Sequence, residues 1–247
     1  MTLHRILFGL MLLSAMVSAQ SIFFKPIAAY YLPRLTDVNM RIEDAIDDFR
    51  DNSGLPLPTA ATFGNKVIFG GEIEYHLSED YFGTIQLMFY NDDADTRFKS
   101  TSPTPIQFDY LRDISMVDVK VNFHQYFSYS SWRRFNKYFG IGVGIMQVSA
   151  TSETVYIADN NSLINTTGEF SGTTLSASGY FGGEIRLAPA FKLWAEGGYL
   201  VGNPGRMDGK VRTLETSGNV DTTSESSFDL SGFFVRGGIG FAVPFLK

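Results

Sequence analysis

The sequence predicts an all-β protein, a closed antiparallel up-and-down transmembrane β-barrel of eight strands, with ten strands as the alternative. Apolar and polar residues alternate along much of the chain, and short connections alternate with long polar ones. Aromatic residues make up 15% of the 247 residues, and such side chains suit pleated strands. After residue 20 no segment stays apolar over the roughly 20 residues that a transmembrane helix needs. A membrane crossing would therefore use strands.

The alternation is clearest between Gly179 and Gly202. Odd positions such as Phe181 and Leu193 are apolar there, whereas even positions hold charges such as Glu196. A period of two places alternate side chains on opposite faces of a strand. The pattern predicts eight strands, of which the first is the least regular, at residues 22–32, 66–77, 81–89, 117–127, 139–145, 175–187, 191–201 and 232–245.

The connections between these segments alternate in length. Three are short, with the sequences HLSED, SYSSWRRFN and APA, and the other four are long and polar, at about residues 33–65, 91–114, 149–172 and 203–227. Outer-membrane barrels have short periplasmic turns and long extracellular loops, with both chain ends in the periplasm. The fourth long connection also permits an extension of the last hairpin or an added strand pair, which is the basis of the ten-strand alternative.

A membrane barrel explains why charge alternates with apolar side chains. A sheet spans hydrocarbon only when it closes, and its outer face then meets lipid while its inner face lines a polar lumen. A soluble lipocalin-like barrel would place the apolar rows inside, and it is the alternative fold. We expect the inward charges to form a salt-bridged lumen, with a narrow ionic pathway as the alternative. These residues are Glu72, Glu74, Asp118, Lys120, Glu184, Arg186, Glu196 and Arg236.

The N-terminal 19 residues have the layout of a secretory signal peptide. A basic start at Arg5 precedes an apolar stretch and the small residues Ser18 and Ala19, which predicts cleavage after Ala19 and a barrel domain at residues 20–247. Cysteine is absent, which excludes disulfides and thiolate metal sites. The net charge of −6 indicates no nucleic-acid partner, and no phosphate loop, dinucleotide fingerprint or zinc signature indicates a cofactor or metal.

The last strand carries a pattern typical of barrel assembly signals. The segment GIGFAVPF places Gly240, Val243 and Phe245 at matching positions, although Gly238 stands where a polar residue is usual and two residues follow the aromatic. With the alternation, this pattern resembles the small bacterial outer-membrane β-barrel family that includes the W and X types, over most of the mature chain. The resemblance implies outer-membrane lipid and lipopolysaccharide as partners and the barrel assembly machinery during insertion. For the W type it implies small apolar cargo.

The first long connection contains a helical pattern. Met40, Ile42, Ile46 and Phe49 recur near helical spacing, and Asn39 is available as an N-cap. So short a helix buries little apolar surface, which favours a solvated acidic loop with a local helix. A lid over the barrel mouth is the alternative.

Candidate catalytic and metal sites are weak. His76 and Ser78 have the His-any-Ser spacing of lipid A deacylases, but they lie beside a short turn expected in the periplasm, away from lipid A. The acidic segment NDDADTR lacks the spacing of a calcium loop. We therefore expect no enzyme, but an integral barrel that is structural or admits small solutes. Surface adhesion through the long loops is one alternative, and a lipid A-modifying enzyme is another.

Overall fold

The computed structural model describes residues 22–100, 105–127, 135–158, 162–215 and 218–243. The predicted signal peptide and Phe245 lie outside these residues. Within the described ranges, no helix has the length and hydropathy of a membrane span. The elements are β1 (Ile22–Pro33), α1 (Thr36–Ser53), β2 (Lys66–His76), β3 (Tyr81–Ser100), β4 (Ile106–Tyr126), β5 (Phe135–Ala158), β6 (Ser162–Ala188), β7 (Phe191–Val201), β8 (Gly205–Glu215), β9 (Gly218–Phe228) and β10 (Gly232–Val243).

Eight of the strands close into an antiparallel ring. Strands β1 to β7 follow one another around it, and β10 stands between β7 and β1. The first and last strands of the ring pair from Ile22 opposite Val243 to Pro33 opposite Gly232. The predicted closed up-and-down barrel of eight strands is confirmed.

Strands β8 and β9 lengthen the last hairpin of the ring and do not add to it. Only residues 202–204 separate β7 from β8, and only residues 229–231 separate β9 from β10. Strand β8 pairs with β6 beyond the end of β7, where Ser171 lies opposite Asp208. Strand β9 pairs with β8 alone among the described strands. The alternative of ten strands in the ring is therefore wrong, although the chain has ten strands in all.

The second and third long connections, predicted as loops, are also mostly strand. Strands β3 and β4 continue to Ser100 and from Ile106, and β5 and β6 continue to Ala158 and from Ser162. These parts extend past the apolar belt into water, where polar residues suit both faces of a sheet. The alternation that predicts strands is therefore lost there. We call the extended parts of β3–β6, together with β8 and β9, the crown.

The outer face of the ring is apolar, as the alternation predicts. Val143 and Phe181 are 68% and 69% exposed, whereas Glu184 on the opposite face is 1% exposed. Aromatic pairs mark the margin of this face near the short turns, including Phe191 and Phe241 with ring centroids 5.4 Å apart. Aromatic girdles flank the lipid-facing band of transmembrane barrels, a band about 25 Å tall.

Helix α1 packs inside the mouth of the crown. Val38, Ile42 and Ile46 are buried, and Phe49 stacks on Phe108 of β4 with ring centroids 4.3 Å apart. The helix ends at Gly54, whose φ of 66° is readily adopted only by glycine. The favoured interpretation of a solvated loop is wrong because the crown offers the helix an apolar inner wall that the sequence does not reveal.

Asn39 attaches α1 to the segment that follows the helix, at Phe63, and does not cap the helix. The helix begins at Thr36 after Leu35, so the predicted cap at Asn39 is wrong. The Asn39 side chain donates from Nδ2 to the carbonyl of Phe63 at 2.9 Å, and its Oδ1 accepts from the Phe63 N–H at 3.0 Å. The helical pattern predicts a buried Met40, but Met40 is 48% exposed and Val38 is buried in its place.

Replacing Asn39 with alanine tests this attachment. We expect Asn39→Ala to weaken the docking of α1 by about 1–3 kcal/mol, because two hydrogen bonds of roughly 0.5–1.5 kcal/mol each are lost. Amide hydrogen exchange in α1 is expected to accelerate while exchange in the ring stays unchanged. Asn52→Ala, at an exposed position on the same helix, is the control. Equal exchange rates in the two variants would contradict the assignment.

Candidate functional site

The lumen is filled by a cluster of charged side chains. We call this group the lumen cluster: it holds five carboxylates and four cations, each at most 5% exposed. Carboxylates and cations in nearly equal number limit the cost of burying charge. The members are Lys25, Glu72, Glu74, Asp118, Lys120, Glu184, Lys192, Glu196 and Arg236.

Two lysines connect the carboxylates nearest the short turns. Lys192 binds Glu74 and, at 2.6 Å, Glu184, thereby joining β7, β2 and β6 across the lumen. Lys25 binds Glu72 and, at 3.3 Å, Glu74. Each lysine thus contacts two carboxylates, and Glu74 contacts both lysines. The strands are cross-linked through the middle of the ring as well as by backbone pairing.

A second group of ion pairs and tyrosines lies beside the lysines. The Nε of Arg236 donates to Glu196 at 2.5 Å, and the hydroxyl of Tyr138 donates to the same carboxylate at 2.7 Å. The hydroxyl of Tyr126 donates to Glu184 at 3.0 Å. Neutral phenols supply the carboxylates with hydrogen bonds that the cations alone do not provide.

Aromatic rings fill the space between the charges. Phe82 is fully buried and stacks on His124, with ring centroids 4.0 Å apart. The Lys25 ammonium lies 4.1 Å from the ring of Trp194, and the Lys192 ammonium lies 4.5 Å from that of Phe23. Cation–π contacts stabilise ammonium groups that have lost their water.

A small cavity lies in the lumen toward the crown. Asp118 pairs with Lys120 and accepts from the Ser176 hydroxyl at 2.7 Å. The cavity beside this pair measures about 20 Å³, which is room for about one water molecule. Beyond it lies a layer of buried apolar and aromatic side chains that includes Tyr31, Met116, Met146, Leu200 and Leu230.

The eight predicted lumen residues all lie on the inner face, although they do not form one group. Glu72, Glu74, Glu184, Glu196 and Arg236 are brought together near the short turns, and Asp118 pairs with Lys120 farther up. Arg186 is only half-buried at the periplasmic rim, and its Nε has no hydrogen-bond partner among the described residues.

Several residues of the lumen are absent from the predicted set. Lys25 lies on the irregular first strand, and Tyr126 and Tyr138 carry no charge, but the position of each in the alternation does predict an inward side chain. Gly240 of the assembly pattern also faces the lumen. A side chain there would come within 2.9 Å of Cγ of Lys192, so this glycine leaves room for the lysine.

The residues of the weaker candidate sites differ in where their side chains point. His76 lies buried at the periplasmic end beside Glu74 at 2.9 Å, whereas Ser78 lies in the exposed turn. In the acidic segment, Asp92 points inward and Asp93 outward. Lys66 binds Asp92 at 2.6 Å and Asp93 at 3.4 Å. Among the described residues, no three His, Cys, Asp or Glu side chains are placed to hold a metal ion.

Comparison with known proteins gives structural but no sequence matches. No family model and no curated protein matches the sequence. The outer membrane protein OprG from Pseudomonas aeruginosa is similar in structure, with a TM-score of 0.51 and 12% identity over 91% of this chain and 96% of that one. This chain has the fold of the small bacterial outer-membrane β-barrel proteins. With its apolar belt, that fold places it in the outer membrane as an integral barrel.

Two further structures are more distant from this barrel. Neisserial surface protein A aligns with a TM-score of 0.47 and 10% identity, over 89% of this chain and 96% of that one. The outer membrane protease OmpT from Escherichia coli aligns with a TM-score of 0.42 and 9% identity, over 92% of this chain and 98% of that one. Likeness at this level carries no activity from one barrel to another, because one fold hosts many functions.

Proposed function

We propose that the protein is a closed, non-catalytic barrel that does not conduct ions and holds its crown rigidly at the cell surface. The observation that carries the proposal is the lumen cluster, which fills the ring from wall to wall. An eight-stranded ring has an interior just wide enough for side chains to fill. The chain fills it with mutually paired charges rather than with a polar channel.

The packing on the crown side of the lumen cluster supports a closed state. The cavity next to Asp118 has room for about one water molecule, and buried apolar side chains such as Met116 and Leu230 follow it. Above them, Ile46 of α1 is fully buried against the crown. An ion entering from outside would meet the helix, the apolar layer and the ion pairs in turn, and each would have to move.

Planar-bilayer recordings test whether the barrel conducts. We expect the purified full chain to give no conductance steps, because paired charges and buried apolar side chains occupy the described part of the lumen. Liposomes containing it are expected not to swell in small sugars. Reproducible steps whose size depends on a lumen side chain would contradict the proposal.

Arg236 distinguishes a conducting lumen from leakage around the barrel. If steps occur and Arg236→Ala changes their size, the narrow ionic pathway is the correct alternative. The matched control is Arg206→Ala, since Arg206 is a surface arginine on β8 with a side chain that is 80% exposed. Steps that neither variant changes would indicate a bilayer defect.

Surface recognition by the crown is the second candidate function. The observation that favours it is that the crown is paired sheet rather than flexible loop, up to Ser100 opposite Ile106 on β3 and β4. Rigid scaffolds often carry binding residues at their loop ends. A variant in which β3 and β4 are shortened by equal numbers of residues tests surface recognition. Loss of its binding to whole cells or purified lipopolysaccharide would support this function. We also propose that the barrel assembly machinery contacts the pattern around Gly240 during insertion.

A further inference from the structure

A pocket lies in the crown, between α1 and strands β4, β5, β6 and β9. Its volume is about 170 Å³. None of its lining residues belongs to the buried apolar layer that includes Met116 and Leu230. The apolar part of its lining includes Ile42, Phe63, Tyr110, Ala150, Phe170 and Phe228.

Arg112 is the partly buried cation of this pocket. Its guanidinium carbon lies 3.9 Å from the centroid of the Tyr110 ring, and its Nη1 donates to the carbonyl of Leu111 at 2.9 Å. Among the described residues, no carboxylate lies within ion-pair distance of it. Burial lowers the pKa of Arg112 below its ordinary value, as expected for a cation that has lost water without gaining a counter-ion.

The two carboxylates that line the pocket already have partners, of which Thr151 is itself a lining residue. Asp113 accepts from the hydroxyl of Thr151 at 3.2 Å, and Glu225 pairs with Arg206 at 3.0 Å. A second guanidinium of the lining, that of Arg41, donates to the carbonyl of Ser227 at 2.7 Å. The pocket therefore presents two cations, and both lack a carboxylate partner among the described residues.

We propose that this pocket binds a small carboxylate whose apolar body is about the size of one aromatic ring. A cavity of about 150 Å³ lined by apolar side chains accommodates benzene, so the present volume suits a single ring. Arginine binds carboxylates through two parallel hydrogen bonds, and the stacking of Arg112 on Tyr110 holds its donors in place. The proposal concerns a ligand on the cell-surface side and requires no conduction through the lumen.

Calorimetric titration of the full chain in lipid nanodiscs tests the proposal, with benzoate as the probe. We expect saturable benzoate binding at least tenfold tighter than that of benzyl alcohol, which has the same ring without the charge. Benzylamine is expected not to bind. Equal affinities for the acid and the alcohol, or no saturable benzoate binding up to millimolar concentration, would overturn the proposal.

Two variants separate the charge from the cavity. Arg112→Gln is expected to weaken benzoate binding at least tenfold and to leave benzyl alcohol unchanged. Ala150→Leu fills the pocket and is expected to abolish binding of both probes. Arg97→Gln, on the exposed outer face of β3, is the matched control and is expected to bind like the parent chain. Benzoate binding that Arg112→Gln leaves intact would refute the site.

Folding of the variants is checked by the shift of each band on an unboiled gel, since closed barrels resist detergent until boiled. If Arg112→Gln does not give the folded band, Arg112→Lys replaces it. The lysine keeps the charge and loses the paired donors, so we expect it to weaken benzoate binding and to leave benzyl alcohol unchanged. Benzoate affinity equal to that of the parent would again refute the site.

Discussion

Replacing Lys192 with methionine is expected to destabilise the barrel by about 3–5 kcal/mol, the usual cost of leaving a buried charge without its partner. Lys192 is fully buried and pairs with both Glu74 and Glu184. Glu74 keeps its pairing with Lys25, whereas Glu184 loses this cation and keeps the hydrogen bond from the neutral Tyr126. Urea unfolding of the folded protein in detergent micelles, followed by the unboiled gel band, measures the change.

A double variant shows whether the loss comes from unpaired charge. In Lys192→Met with Glu184→Gln, the orphaned carboxylate is neutral, so we expect a smaller loss than the sum of the two single variants. Lys210→Met, at an exposed position on β8, is the control and is expected to leave the unfolding midpoint unchanged. Strictly additive losses would mean that Lys192 and Glu184 do not stabilise each other.

Arginine at the middle of the outer face is expected to cost about 2–4 kcal/mol, the range for a cation at the bilayer midplane. Ile141 is 58% exposed and lies opposite Phe123 and Gly179, midway between the two margins of the apolar belt. In Ile141→Arg the charge faces hydrocarbon, and no described carboxylate of the lumen cluster lies on its side of the wall. Reversible unfolding from phospholipid bilayers measures the loss.

Gln147→Arg is the matched control for this prediction. Gln147 lies on the same strand and the same face, six residues farther along, at the crown end of the apolar belt. The arginine there meets water, so we expect a change in the free energy of unfolding near zero, which is usual close to the membrane interface. Equal losses at the two positions would mean that the belt of outward Phe, Val and Ile residues does not face lipid.

The sequence predicts the ring well because the bilayer imposes a strict rule on it. Wherever a strand crosses hydrocarbon, the outward position has to be apolar, and the inward position is free to carry charge, as Glu72 and Ile73 illustrate. The same rule, applied to the sequence alone, places Lys25 and Tyr126 inside. It does not indicate which inward groups meet, because partners such as Glu74 and Lys192 are 118 residues apart.

The crown is predicted poorly because water imposes no such rule. Between Asn91 and Ser100 both faces of β3 carry polar side chains, so strand and loop look alike in the sequence. The placement of α1 depends on a wall built from β4 and β5, with Phe108 as the contact, and no local pattern encodes that wall. The pocket beside Arg112 is likewise a product of three-dimensional packing.

The pairing of β1 with β10 has a consequence for how the wall is assembled. Hairpins such as β2 with β3 and β6 with β7 join strands that are neighbours in sequence, whereas the pair of Tyr30 with Val235 joins residues from opposite ends of the chain. Contacts between distant residues form late because the intervening chain first has to be ordered. Until that last pairing forms, two strand edges stay open to lipid, so removal of β10 is expected to abolish the barrel rather than to leave a smaller one.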